Sequence, residues 1–208
     1  MSAIGSSDRG NEDLKERVNA GVRRAADVLS ATLRASVRLE VLLVELFSGP
    51  DLERKARELQ MEALCGVQLA FKGPLSGVAL LLLPLADAVQ LVVALTDDQP
   101  GTSELDSIRI ATLVELGSVV LNGVMGVIGS GFEPRVRYAL PVYLDDPVEA
   151  LLTSRGPARD VTAVGVKTRC TIEQHRTTGE ILLLFDAGSV ESLWTVTGRE
   201  VGVDLEPG

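Results

Sequence analysis

The chemistry available to this 208-residue chain centres on two acidic residues, Glu16 and Glu115, each followed three positions later by a short polar side chain. Asn19 follows Glu16, and Ser118 follows Glu115. On a helix, a step of three or four keeps side chains on one face. Glu12, Glu16, Asn19 and Arg23 therefore form one polar stripe, and Ala111, Glu115, Ser118 and Asn122 form a second. Such stripes offer charge pairing and hydrogen bonding from amide or hydroxyl groups. A solvated helix face explains the first stripe by composition alone. The second is less easily explained this way, because Glu115 lies in an otherwise apolar run, Ile110–Ile128.

Several other chemistries are excluded. The single histidine, His175, sits in the polar stretch Glu173-Gln174-His175-Arg176, which reads as a turn at a strand end. There is no Ser/His/Asp signature, no phosphate-binding loop with GK[ST], and no GxGxxG after a strand. The Gly126–Gly131 segment is glycine-rich, but it lacks a lysine and precedes a strand, so it reads as helix termination. Gly117, Gly123 and Gly126 read as places where a helix packs closely. The two cysteines, Cys65 and Cys170, make neither a disulfide framework nor, with one histidine, a zinc site. They read as reduced thiols in strands, and no metal site is expected. A net charge of −9 with 3% aromatic residues argues against nucleic-acid binding, which needs a positive footprint. The polar N-terminus does not read as a signal peptide, so none is expected. The apolar stretches at 77–96 and 116–132 are broken by Pro84, Asp87, Asn122 and glycines, so no membrane insertion is expected. A cytoplasmic location follows as the expectation.

The elements that must carry the stripes can be read from periodicity. Residues 1–11 read as a mobile leader. Leu14, Val18, Val22, Ala25, Leu29 and Leu33 recur at three or four, predicting a helix over 12–33. Strands are predicted at 37–47, 61–71 and 78–83, with a short helix or loop at 51–60 and a helix from Pro84 to about Leu95. The pattern then restarts. A helix is predicted over 105–128, strands at 135–144, 161–172 and 180–185, and a closing helix to about Val196. Each half thus reads helix, three strands, helix.

An offset of 99 lays Leu14 on Leu113, Glu16 on Glu115, Val28 on Val127 and Val37-Arg38 on Val136-Arg137. A later offset of 102 lays Gly77 on Gly179 and Leu80–Leu82 on Leu182–Leu184. These matches predict one duplicated domain at 12–205, with repeats at 12–100 and 103–204.

Glu-x-x-Asn on a long helix, recurring after about a hundred residues, resembles the CheC/CheX/FliY family of chemotaxis response-regulator phosphatases. The family motif runs Asp/Ser-x3-Glu-x2-Asn, then 22 residues, then Pro. In the second half Glu115 and Pro141 fit, with Ser118 in the asparagine slot and Ala111 in the leading one. In the first half Glu16 and Asn19 fit, with Glu12 leading and Leu42 in the proline slot. The likeness continues through Ser76–Pro84 and Gly179–Leu183, and it covers about residues 12–200.

The resemblance implies an α/β fold of the α+β kind, a CheC-like pseudo-two-fold domain. Its six-stranded, largely antiparallel sheet would carry the two long helices side by side on one face, with their polar stripes outward. It also implies hydrolysis of the aspartyl phosphate of a CheY-like receiver domain. Glu16 would pair with the receiver's lysine and Asn19 would orient the attacking water, while Glu12 and Arg23 would touch the partner. Glu115, Ser118 and Asn122 would be a degenerate second site, because serine is too short to present an amide. The chain would need no cofactor of its own, since the receiver brings its Mg2+. The alternative reading is a non-catalytic adaptor that binds a receiver or a CheD-like protein.

Overall fold

The computed structural model describes residues 4–47, 49–60, 63–96, 106–148, 162–172, 175–186, 188–189 and 192. The apolar runs become the centre of one antiparallel sheet. Its strands are β1 (Val37–Phe47), β2 (Leu64–Lys72), β3 (Gly77–Pro84), β4 (Arg137–Tyr138), β5 (Val142–Leu144), β6 (Thr162–Ile172) and β7 (His175–Phe185). The order is β1-β6-β7-β3-β2, with β4 and β5 following one another along the free edge of β2. Helices α1 (Ile4–Leu33), α2 (Gly49–Leu59), α3 (Leu85–Thr96) and α4 (Ser107–Ile128), with a short 3-10 turn at Gly129–Gly131, complete the described elements.

The central strands read as unbroken apolar runs because both faces of the sheet are covered. Ala79, Leu81 and Leu83 of β3 and Ile181, Leu183 and Phe185 of β7 point to the face under α1, α3 and α4. The residues between them, Leu80, Leu82, Leu182 and Leu184, pack on the opposite face with Leu52, Ala56 and Leu59 of α2. Lys55 of α2 reinforces that contact with a 2.8 Å ion pair to Glu180. This second apolar layer is not evident from the charged sequence at 51–60, whose three buried side chains are spaced three and four apart.

α4 starts where Asp106 caps it, its carboxylate accepting from the N–H groups of Ile108 and Arg109. By length and composition the stretch Ser107–Gly131 could cross a bilayer. Here its apolar residues Leu113, Leu121, Val124, Met125 and Ile128 are buried in the protein.

The structure departs from expectation at several places. α1 begins at Ile4, so most of the expected leader is the first part of that helix. The sheet has seven strands rather than six, because the strand expected at 135–144 is divided. Tyr138 pairs with Phe71 and the Ala139 N–H donates to Ala70, but Val142 pairs with Gln68, so the register slips by one residue at Leu140-Pro141. Proline has no N–H to give the ladder. β1 slips in the same way between Val41 and Leu43, leaving Leu42 unpaired. The two irregularities thus fall at the two positions aligned by the offset of 99. Further on, Gly66 faces Leu82 while Gly165 faces Leu182, so the later hairpins correspond at an offset of 99 in their first strands and 100 in their second, not 102. The glycine match that suggested 102 is therefore coincidental. β7 starts at His175, five residues before the expected Glu180. The loop expected at 145–158 and the closing helix lie largely outside the described residues.

Candidate functional site

The candidate residues sit on a helix pair that approaches unusually closely. A side chain at Gly21 of α1 would put a Cβ 2.5 Å from the Val124 Cα of α4, and one at Gly123 would come 2.8 Å from the Ala25 Cβ. Residues 16–23 of α1 lie beside Val127 at the far end of α4 and Ser130 in the turn just beyond it, while Gly21 meets Gly123 and Val124, so the two helices run antiparallel. Of the three glycines expected to allow close packing, Gly123 serves the helix pair and Gly117 lets α4 down onto Val67 of β2. Gly126 faces open space, with nothing within 4 Å of a Cβ placed there.

An open depression of about 610 Å³ lies on this seam, lined by Asp13, Glu16, Arg17, Asn19, Ala20, Arg23, Val127 and Ser130. Glu16 and Arg23 are exposed and Asn19 is half-buried. The Asn19 amide donates one N–H to the Lys15 carbonyl at 2.9 Å, which uses one of its two donors. Arg17 is buried beside them and pairs with Asp13 through Nε at 2.8 Å. The depression also receives the C-terminal end of α4, where Ser130 Oγ donates to the Val127 carbonyl. A helix C-terminus carries partial negative charge, which adds to that of Glu16, while the exposed Arg23 brings a positive charge to the same depression.

Three of the four residues of the first stripe, Glu16, Asn19 and Arg23, share the depression. Glu12 is exposed on the same helix but does not line it. Glu115, Ser118 and Asn122 lie on α4 and do not line it either. Glu115 and Asn122 are exposed, and Asn122 is turned back on its own helix, donating to the Ser118 carbonyl at 2.9 Å and to Ser118 Oγ at 3.1 Å. Sequence reading missed Asp13, Arg17, Ala20, Val127 and Ser130. The Asp13–Arg17 spacing of four was a legible signal for an ion pair, whereas Val127 and Ser130 join the site only through helix packing.

The two thiols stand apart from this seam. Burial pushes both Cys65 and Cys170 up to about 11. Among the described residues, no group of three metal-ligating side chains comes together.

No family model matches the sequence, and no curated protein matches it. Solved structures do. Thermotoga maritima FliY is 14% identical, with a TM-score of 0.67 over 96% of this chain and 98% of that one. The FliM middle domain from H. pylori is 13% identical, with a TM-score of 0.63 over 89% of this chain and 98% of that one. A chain of the CheX–CheY–BeF3–Mg2+ complex from Borrelia burgdorferi is 12% identical, with a TM-score of 0.53 over 80% of this chain and 96% of that one. With its paired long helices over an antiparallel sheet, the chain has the CheC/CheX/FliY fold.

Proposed function

We propose that this chain acts on a phosphorylated CheY-like receiver domain, releasing its aspartyl phosphate through Glu16 and Asn19. The observation that carries the reading is the open depression that gathers Glu16 and Asn19 beside the C-terminal end of α4. Glu16, backed by the negative end of the α4 dipole, would pair with a cationic side chain, as the receiver's lysine would be. Asn19, one turn along, presents an amide that can hold a water for in-line attack. Phosphoryl transfer asks mainly for positioning and charge stabilisation, so an amide and a carboxylate suffice on this side of the interface. The Mg2+ belongs to the receiver. The complex of CheX with CheY, BeF3 and Mg2+ supports such a partner for this fold.

In this reading the two halves are one duplicated unit. The strand order, symmetric about its centre, and the matched register slips at Leu42 and at Leu140-Pro141 support it. The second site is degenerate, because Asn122 spends its amide on Ser118.

A second reading is a non-catalytic adaptor. It is favoured by the likeness to FliM domains, one of them solved in a FliG–FliM complex with a TM-score of 0.65. The Asn19 amide held by its own helix also favours it, since one of its two donors is already engaged. Decay of acyl phosphate on candidate receivers separates the two. Turnover that Asn19→Ala abolishes while receiver binding persists establishes the phosphatase. Binding without turnover in the wild type establishes the adaptor.

A further inference from the structure

The two edges of the sheet are unequally protected. At one edge, β4 and β5 are short and Pro141 interrupts them, features that discourage pairing with another chain. At the other edge, β1 offers eleven residues without a proline. Three leucines there are far from buried: Leu42 at 41% exposure, Leu43 at 47% and Leu46 at 40%. An edge of this kind is a template for a further strand.

We propose that β1 pairs antiparallel with β1 of a second copy of this chain, with Arg38 of each copy opposite Glu45 of the other. The backbone restricts the register first. Val37 gives its N–H to Ser30 Oγ and accepts from the same hydroxyl, both at 3.2 Å. Its polar groups therefore point away from β6, and by alternation so do those of Leu39 and Val41. Because the register slips at Leu42, the outward-facing positions beyond it are Val44 and Leu46. A symmetric antiparallel pair that runs across the slip keeps outward groups opposite one another, and faces matched, when it joins an odd-numbered position before the slip to an even-numbered one after it.

Two such registers engage most of the strand, and charge decides between them. One sets Leu39 against Leu46 and places Glu40 opposite Glu45 twice, which is repulsive. The other sets Leu39 against Val44 and places Arg38 opposite Glu45 twice, in the closer, non-hydrogen-bonded kind of pair. Glu40 already faces Arg169 of β6 at 3.6 Å, which leaves Arg38 and Glu45 as the charges available to a partner on that face. In this register the Leu42 and Leu43 side chains of both copies gather around the two-fold axis. Leucine burial and the added ladder supply the affinity, and the charge pairs set the alignment.

Sedimentation of the full chain over a wide concentration range tests this. A reversible species of twice 22.1 kDa is expected. Arg38→Glu, and separately Glu45→Arg, should each weaken association about tenfold or more, since two attractive pairs become repulsive. The double variant Arg38→Glu/Glu45→Arg should restore it. Amide exchange at Leu39, Val41 and Val44 should slow only where the dimer forms. A wild-type chain that stays monomeric overturns the proposal, as does a dimer that both single variants leave unchanged. Slow exchange of those amides in a monomer also overturns it, because residues of the same chain then cover the edge.

Discussion

Replacing Gly21 by alanine tests the helix seam directly. The new Cβ would lie 2.5 Å from the Val124 Cα and 3.0 Å from the Gly123 carbonyl oxygen, both backbone atoms that cannot rotate away. Relief requires α1 and α4 to part by about 1 Å, and overpacking of this kind costs about 1–3 kcal/mol. Alanine returns up to about 1 kcal/mol of helix propensity. The net expectation is a loss of about 1–2 kcal/mol, or a melting point lower by about 2–8 °C in a chain of this size. Gly126→Ala is the matched control: nothing lies within 4 Å of its Cβ, so only the propensity gain remains and the variant should be stabilised. Urea unfolding followed by circular dichroism gives both values. The opposite signs are the diagnostic result. A Gly21→Ala protein as stable as the wild type, or more so, would mean that the helices do not meet there, and the depression built on their contact would lose its basis.

The remaining expectations concern chemistry and pH. Asn19→Ala should lower phosphoreceiver decay by about a hundredfold or more, the usual scale for deleting one positioned hydrogen-bonding group, without weakening receiver binding. Glu16→Ala should lose both in the same assay, because its charge contributes to docking as well as alignment. Ser118→Asn should add turnover in the second half, measured in an Asn19→Ala background where the first site is silent. Cys65 and Cys170, raised from 9.0 to about 11 by burial, hold their protons longer folded than unfolded. Their stabilising contribution is complete below pH 9 and is lost as pH rises toward 11, so a urea midpoint falling through that window in wild type should fall less in Cys65→Ala/Cys170→Ala. Thiol alkylation at pH 8 should likewise be slow until the chain is unfolded.

Much of this fold is legible because burial writes itself into spacing. The stripe from Leu14 to Leu29 announced α1, and the strands β3 and β7 appeared as continuous leucine runs since both sides of them are covered. What escaped was decided by neighbours distant in sequence. Nothing local distinguishes Gly126, which faces solvent, from Gly123, which faces Ala25. The break at Leu140-Pro141 depends on a register with β2 some seventy residues earlier, and the apolar role of α2 is hidden by its charged outer side. At the candidate site, helical spacing placed Glu16, Asn19 and Arg23 together. The opposite wall, Val127 and Ser130, exists only once two helices cross.

The antiparallel crossing also constrains stoichiometry. Glu16 and Glu115 each precede the Gly21–Gly123 contact on their own helix, by about five to eight residues, or roughly 10 Å at the helical rise. Because the helices run in opposite directions, the two carboxylates lie on opposite sides of the contact, about 20 Å apart along it. A domain of about a hundred residues has a radius of gyration near 13 Å and is therefore wider than that interval. Two such partners centred over the two carboxylates of one chain would overlap. Even with the second half repaired, a titration should saturate at one partner per chain, and the two halves would compete for it.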